Sequence, residues 1–296
     1  MNRLILILAF VVAFPFIGNA QRKRAFMVGI SNYHTNGYKI WNNIHGAEDV
    51  ALLKPELEKK GFKVQTLINE QATYQGILNA LNSFISTSKK DDVVYLHFSC
   101  HGQPVEDGLN GLAKDEKDGW DEAIVPIDAG KEYNSTYKGE KHLTDDELNG
   151  YISKLRKKIG PKGMLYVAMD ACHIGEVSRI GLETVRGSSE AITSHPNNGY
   201  KPPKKKDSIR HYPITKSADM APTLFIEACE SFQRNTEIRI NGKEYGALSY
   251  NICQALLGMT SFDKTTKDLF KAKVDSSTKE KGRWHRTQTL VTESSY

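Results

Sequence analysis

Short apolar runs of strand length alternate along this chain with longer runs of helical spacing, and that alternation limits the fold more than any other feature. The strand-like runs are "AFMVGIS" (25–31), "KVQTLI" (63–68), "DVVYLHFS" (92–99), "MLYVAMD" (164–170) and "PTLFIEAC" (222–229). Between them, residues 45–62 place Val50, Leu52, Leu53 and Leu57 on one helical stripe and close on Gly61. Residues 73–86 do the same with Ile77, Leu78, Leu81, Phe84 and Ile85. Residues 143–160 open on Thr144 with Glu147 three positions on, the signature of a capping box. Residues 246–258 give a further helix. Strands that alternate with helices predict an α/β fold, with a mostly parallel sheet covered by helices on both faces. In such sheets ligands sit outside the carboxyl ends of the strands.

The 296 residues suffice for one large α/β domain, and 39% hydrophobic content allows a sizeable core. Lys and Arg number 40 against 35 Asp and Glu, a net of +5. That excess, with no basic stripe or recognition motif, argues against nucleic acid as a partner. The first twenty residues carry Arg3, an apolar run from Leu4 to Ile17, and the small residues Gly18 and Ala20. They predict a signal peptide cleaved after Ala20, hence a secreted or periplasmic protein with no membrane attachment once the signal is removed. The apolar run is short for a membrane span, though Arg22, Lys23 and Arg24 behind it keep an uncleaved anchor as the alternative. Cys100, Cys172, Cys229 and Cys253 have irregular spacing and no C-x-x-C pair, which argues against zinc or a redox motif. At least two of them are expected to be inert core thiols. Residues 186–221, rich in Ser, Pro, Asn and Lys and without period, read as a long surface loop.

Two strands end on chemistry. "DVVYLHFSCHG" finishes on His101 and Gly102, and "MLYVAMDACHIG" on Asp170, Cys172 and His173. Side chains alternate along a strand, so Ser99 and His101 face one way and Cys100 the other; Asp170 and Cys172 share a face. A thiol brought beside an imidazole becomes a nucleophile. Gly102 permits close approach of a substrate backbone, and the Gly102 and Cys172 N–H groups are candidate donors to an oxyanion.

The ordered series "YLHFSCHG", "DEKDGWDEAIVPID" (115–128), "MDACHIG", "FIEACESFQRNTE" (225–237) and "GALSYNICQAL", with "HGAEDVALLKPELEKKGF" ahead of it, resembles the caspase-like cysteine peptidases, specifically the metacaspases. The resemblance runs from about residue 25 to 258. It implies a caspase-like three-layer sandwich in a single domain, residues 21–296. Within it, 25–185 would be the large-subunit-like part, 186–221 the linker and 222–296 the small-subunit-like part. It also implies a cysteine endopeptidase acting on polypeptides, with His101 as base and acid, Cys172 as nucleophile and a thioacyl intermediate. Cleavage after Arg or Lys follows, with Asp49, Ser99 and Asp170 in the pocket for the residue before the cut. The family's further pocket acid falls at Ser231 or Phe232, neither acidic.

No cofactor is needed for this chemistry. Calcium is nonetheless a candidate, because the family's ligands match Asp121, Asp145 and Asp146; a fourth family acid falls near the cation Arg179. The plain alternative is that Asp145 and Asp146 complement a helix N-terminus, as Asp49 would be a helix-surface acid. The basic linker is an expected self-cleavage region between Arg186 and Lys216, centred on 201–210. Two other readings compete with the peptidase: an inactive caspase-like binding scaffold, and another thiol-dependent amide hydrolase or transferase.

Overall fold

The structure, a computed structural model, describes residues 21–33, 41–109, 111, 114, 116–173, 184–188, 190–195, 200–205, 212, 214–286 and 288–296. The expected signal peptide and Arg179 lie outside the described residues.

Six strands form the central sheet. They are β1 (Lys23–Gly29), β2 (Phe62–Ile68), β3 (Val93–Ser99), β7 (Met164–Asp170), β8 (Thr223–Glu227) and β11 (Val291–Ser294), in the order β11-β8-β7-β3-β1-β2. Five run parallel, and β11 alone is antiparallel, at the β8 edge. β3 and β7 are buried along their whole length, as strands covered on both faces must be.

Helices α1 (Gly46–Lys59), α4 (Ala247–Leu257) and α5 (Lys267–Thr278) cover one face, where Val50, Leu53, Leu57, Leu248, Ile252 and Phe270 share a core with Tyr95 and Tyr166. Helices α2 (Tyr74–Thr87) and α3 (Asp145–Ile159) cover the other, where Ile77, Leu81, Phe84, Leu148 and Ile152 pack on Phe26, Leu96 and Phe98. Both faces are thus covered, as the alternation predicts. The Thr144 hydroxyl accepts from the Glu147 N–H at 3.4 Å, but the Glu147 carboxylate accepts from the Tyr74 hydroxyl, so only half of the capping box forms.

Several elements had no helical or strand period to announce them. Past Ser99 the chain leaves the large sheet and enters a small antiparallel one, β4 (His101–Glu106), β5 (Trp120–Val125) and β6 (Leu143–Thr144). A hairpin, β9 (Glu237–Ile240) and β10 (Lys243–Gly246), precedes α4. The 186–221 segment is not merely a surface loop. Arg186, Ile192 and Tyr212 within it are fully buried, and the Tyr212 ring stacks on Phe225 at 4.4 Å. Lys201, Lys204 and Lys205 are exposed, as their composition suggests. No helix among the described residues is long and apolar enough to cross a membrane.

Candidate active site

The parallel register puts Gly29, Ser99 and Asp170 side by side at the carboxyl edge of the sheet. His101 begins β4 just beyond this edge and Cys172 follows β7. Topology therefore gathers the two strand-end motifs at one place, as alternation and the carboxyl-end rule anticipate.

His101 is 2% exposed, between Trp41 (rings 4.8 Å apart, stacked) and Tyr33 (4.9 Å). The Tyr33 hydroxyl accepts from the His101 N–H and donates to the Val125 carbonyl, which fixes the backbone here. His101 Nε2 lies 2.8 Å from the Asn42 carbonyl. A carbonyl can only accept, so Nε2 carries the proton in the neutral ring and Nδ1 keeps its lone pair. Nδ1 has no hydrogen-bond partner. Burial pushes the imidazole down to about 4. At neutral pH the ring is therefore an uncharged base with its acceptor nitrogen open.

The Cys172 thiol donates to the Gln233 carbonyl at 3.1 Å, and Cys229 approaches the same oxygen at 3.6 Å. No cysteine forms a disulfide. Cys100 and Cys253 are pushed up by burial, to about 12 and about 11, as inert core thiols should be. The cavity against Cys172, also lined by His173, Cys229 and Ser231, has a volume of about 10 Å³, hardly the room one water needs. What fills the site is the chain itself. The Arg186 carbonyl accepts from both Gly102 N–H (3.1 Å) and Cys172 N–H (3.2 Å). The two donors expected to serve an oxyanion thus converge on one carbonyl. A Cβ on Gly102 would lie 2.5 Å from the Cys172 carbonyl oxygen, so only glycine fits there.

The Arg186 side chain fills the pocket as well. Its guanidinium is 0% exposed. NH2 meets Asp49 Oδ2 at 2.8 Å and Glu237 Oε1 at 2.7 Å, Nε meets the same Glu237 oxygen at 3.0 Å, and NH1 donates to the Ser99 hydroxyl at 2.6 Å. Asp170 Oδ1 lies 3.5 Å from NH1. Asp49, Ser99 and Asp170 are therefore brought together as expected, and Asp49 is buried rather than on a helix surface. Each carboxylate is also held by neutral donors. Asp49 accepts from Ser99 and the Gly246 N–H, and Asp170 from Asn235 and from both the N–H and the hydroxyl of Ser249. Burial pushes Asp49 up to about 7 against the pull of Arg186, as expected where three buried acids share one cation. Burial would also raise Glu237, but Arg186 and His45 outweigh it and hold it down at about 2.

The backbone around Arg186 is docked as a strand. Arg186 N–H donates to the Asn235 carbonyl and Glu237 N–H to the Thr184 carbonyl; Ile192 exchanges bonds with Pro104 and Glu106 further along. Residues 22–291 match the family model for the peptidase C14 caspase domain. The chain belongs to the caspase-domain peptidase family. Metacaspase-1B of Aspergillus fumigatus is 23% identical over 84% of this chain and 61% of its own length. Metacaspase-3 of Arabidopsis thaliana is 25% identical over 79% of this chain and 59% of its own. The chain thus spans about three fifths of the length of these two curated relatives. A crystal structure of a Geobacter sulfurreducens protein superimposes with a TM-score of 0.59 at 18% identity, covering 93% of each chain, which shows a shared fold.

The calcium candidates of this caspase domain lie elsewhere, on β5 of the small sheet and in the first turn of α3. The Ala123–Thr144 pairing puts Asp121 on β5 near the start of α3, where Asp145 and Asp146 sit. Asp121 is pushed up to about 8, first by burial and then by Asp107, Asp146, Glu116 and Glu122. Buried Oδ1 atoms of Asp121 and Asp107 have no hydrogen-bond partner. Hard oxygen donors crowded in this way suit a divalent cation chemically. They are not a closed cage. The His/Cys/Asp/Glu group found among the described residues with ligand atoms within 4.8 Å of one another is His45, Glu237 and Glu244.

Sequence reasoning missed Arg186 and Glu237, and with them Asn235, Ser249 and the Tyr33–Trp41 frame of His101. The acid that closes "FIEACESFQRNTE" was an available signal for Glu237. Arg186 entered only as one bound of the expected self-cleavage region; nothing marked its side chain as buried, because one arginine inside an aperiodic segment looks like any surface residue.

Removing the cation tests this electrostatic arrangement. Arg186→Met should destabilise the chain by about 3–5 kcal/mol at pH 7, the cost of leaving buried charges unpaired, in urea melts of both proteins carrying Cys172→Ser. The Glu237 pKa, about 2 in the fold, lies below the ordinary carboxylate value of 4.5. Its stabilising contribution is therefore fully present above about 4.5 and lost as pH falls toward 2. The gap between the two proteins should narrow over that window, and a gap unchanged by pH would contradict the arrangement.

Proposed function

We propose that this caspase domain is a cysteine endopeptidase that cuts after Arg or Lys and processes its own chain at the Arg186–Gly187 bond. One observation carries the reading: a basic residue of the chain itself lies with its side chain among pocket carboxylates and its carbonyl between two N–H donors. In the reaction His101 Nδ1 takes the Cys172 thiol proton as sulfur attacks the carbonyl carbon. The Gly102 and Cys172 N–H groups hold the resulting oxyanion. Collapse breaks the C–N bond, His101 returns the proton to the leaving amine, and water then hydrolyses the thioester with His101 again as base. For attack, the thiol must first turn from Gln233 toward the docked carbonyl. A scaffold would need neither an open imidazole nitrogen nor paired N–H donors on one carbonyl, so the geometry favours the enzyme over the inactive alternative.

Purified protein should yield two associated fragments, the second beginning at Gly187 by N-terminal sequencing. Cys172→Ala and His101→Ala should remain intact and lose hydrolysis of Arg peptides by several decades, on the order of the loss when a nucleophile or base is removed. A first cut inside 201–210, where composition alone pointed, or equal nicking of Cys172→Ala, would refute the assignment to Arg186.

The same reading gives calcium a regulatory place at Asp121, Asp145 and Asp146, apart from the bond-making steps. Isothermal titration should find saturable calcium binding that Asp121→Asn weakens at least tenfold. Unchanged affinity in the variant would remove calcium from this site.

Export is the remaining part of the proposal. Mass spectrometry of the protein made in its own cells should find Gln21 as the first residue, and an intact Met1 on a cytoplasmic protein would refute it.

A further inference from the structure

The pocket holds a third acid besides Asp49 and Asp170. Asp49 and Asp170 match the family's positions, and the family's further acid is replaced by Ser231 or Phe232. Glu237, at the start of β9, enters from another direction. Its contacts differ in kind from those of the other two. Asp49 and Asp170 meet the terminal nitrogens of Arg186, whereas Glu237 Oε1 accepts from Nε (3.0 Å) as well as NH2 (2.7 Å).

Nε exists only in arginine. A lysine laid along the same path has a methylene there, which donates nothing, and its ammonium replaces the guanidinium carbon rather than the fork. Lysine would therefore keep the long-range attraction of all three acids and lose the bond that Glu237 is aimed to make.

Glu237 is also fixed before any ligand arrives. His45 Nδ1 is 2.5 Å from Oε2, and the His45 N–H donates to Oε1 at 2.8 Å. The Glu237 N–H bonds the carbonyl of Thr184, two residues before Arg186. One residue thus grips both the backbone and the side chain of the docked segment. A carboxylate clamped by its own neighbours gives up little freedom on binding.

We propose that Glu237 is a specificity-determining residue, which makes this peptidase prefer arginine over lysine at the residue before the cut. The inference rests on the proposed cleavage after basic residues and deepens it. The test compares matched Arg and Lys peptide amides, with kcat/KM measured on the full chain for the parent, Glu237→Gln and Glu237→Asp. Parent protein should favour Arg. In Glu237→Gln the Arg value should fall tenfold or more, on the scale of about one lost charge-assisted hydrogen bond, while the Lys value, which loses attraction but no such bond, falls clearly less. Glu237→Asp keeps the charge but draws the oxygens back from Nε, so it too should lose Arg selectively. Equal losses for both peptides in Glu237→Gln, or a parent with no preference, would overturn the role of Glu237. A parent that cuts after neither Arg nor Lys would instead sink the underlying reading. Self-processing of Arg186→Lys adds a readout without added substrate: it should be slower than the parent's, and Glu237→Gln should erase that difference. An undiminished gap would again count against Glu237.

Discussion

The organisation of the site depends on one buried guanidinium among three buried carboxylates. Taking four charges out of water costs several kcal/mol each unless they satisfy one another. The acids come from α1, β7 and β9, and the cation from the segment after Cys172. Charge compensation therefore joins stretches that no single helix or strand would hold together. Neutral donors finish the arrangement: Ser99, Asn235, Ser249 and the Gly246 N–H. A Cβ on Gly246 would lie 2.2 Å from Asp170 Oδ2, so the base of the pocket closes only over glycine. Even with the guanidinium in place, burial and the neighbouring acids push Asp49 up to about 7, so the acids are not fully compensated. Emptied, the pocket would be a concentration of like charge in low dielectric, which any suitably shaped cation would relieve. The same imbalance holds the Arg186 segment in place.

The reactive groups are governed by a different constraint. His101 is buried against aromatic rings, so its charged form is disfavoured and its neutral form waits with one nitrogen committed to Asn42. Cys172 meanwhile spends its thiol proton on a backbone carbonyl. The docked carbonyl occupies the two N–H donors while sulfur is turned aside, which is a held encounter rather than a reacting one. Pocket and donors are coupled through a single residue, Arg186, so a change at either end reaches the other through a few covalent bonds.

Some of this was legible in the chain alone. Hydrophobic period gave five of the six central strands and four of the five α-helices among the described residues, because residues buried on both faces of a sheet leave long apolar runs. Alternation also put Ser99 and Cys100 on opposite faces, since side chains on a strand must change faces; the pocket role of Ser99 came from the resemblance. β9, β10, β11, α5 and the small sheet stayed hidden: β9, β10 and β11 are only four residues long, and β5, though buried, carries two acids that break its apolar run. The linker was misjudged where composition masked burial, because arginine and tyrosine count as surface residues until a partner is found for them.

The sequence by itself determined the kind of fold, the edge of the sheet where chemistry could gather, and the residue types found there, because periodicity and strand polarity are local properties. Only the tertiary structure decided which charges meet. The resemblance put Asp49 and Asp170 in one pocket, but nothing local marked Arg186 or Glu237, the latter 188 residues from Asp49, as their partners. Their pairing, and with it the occupation of the site by the chain's own arginine, follows from distances that exist only once the sheet, the hairpin and the segment after Cys172 have closed around one another.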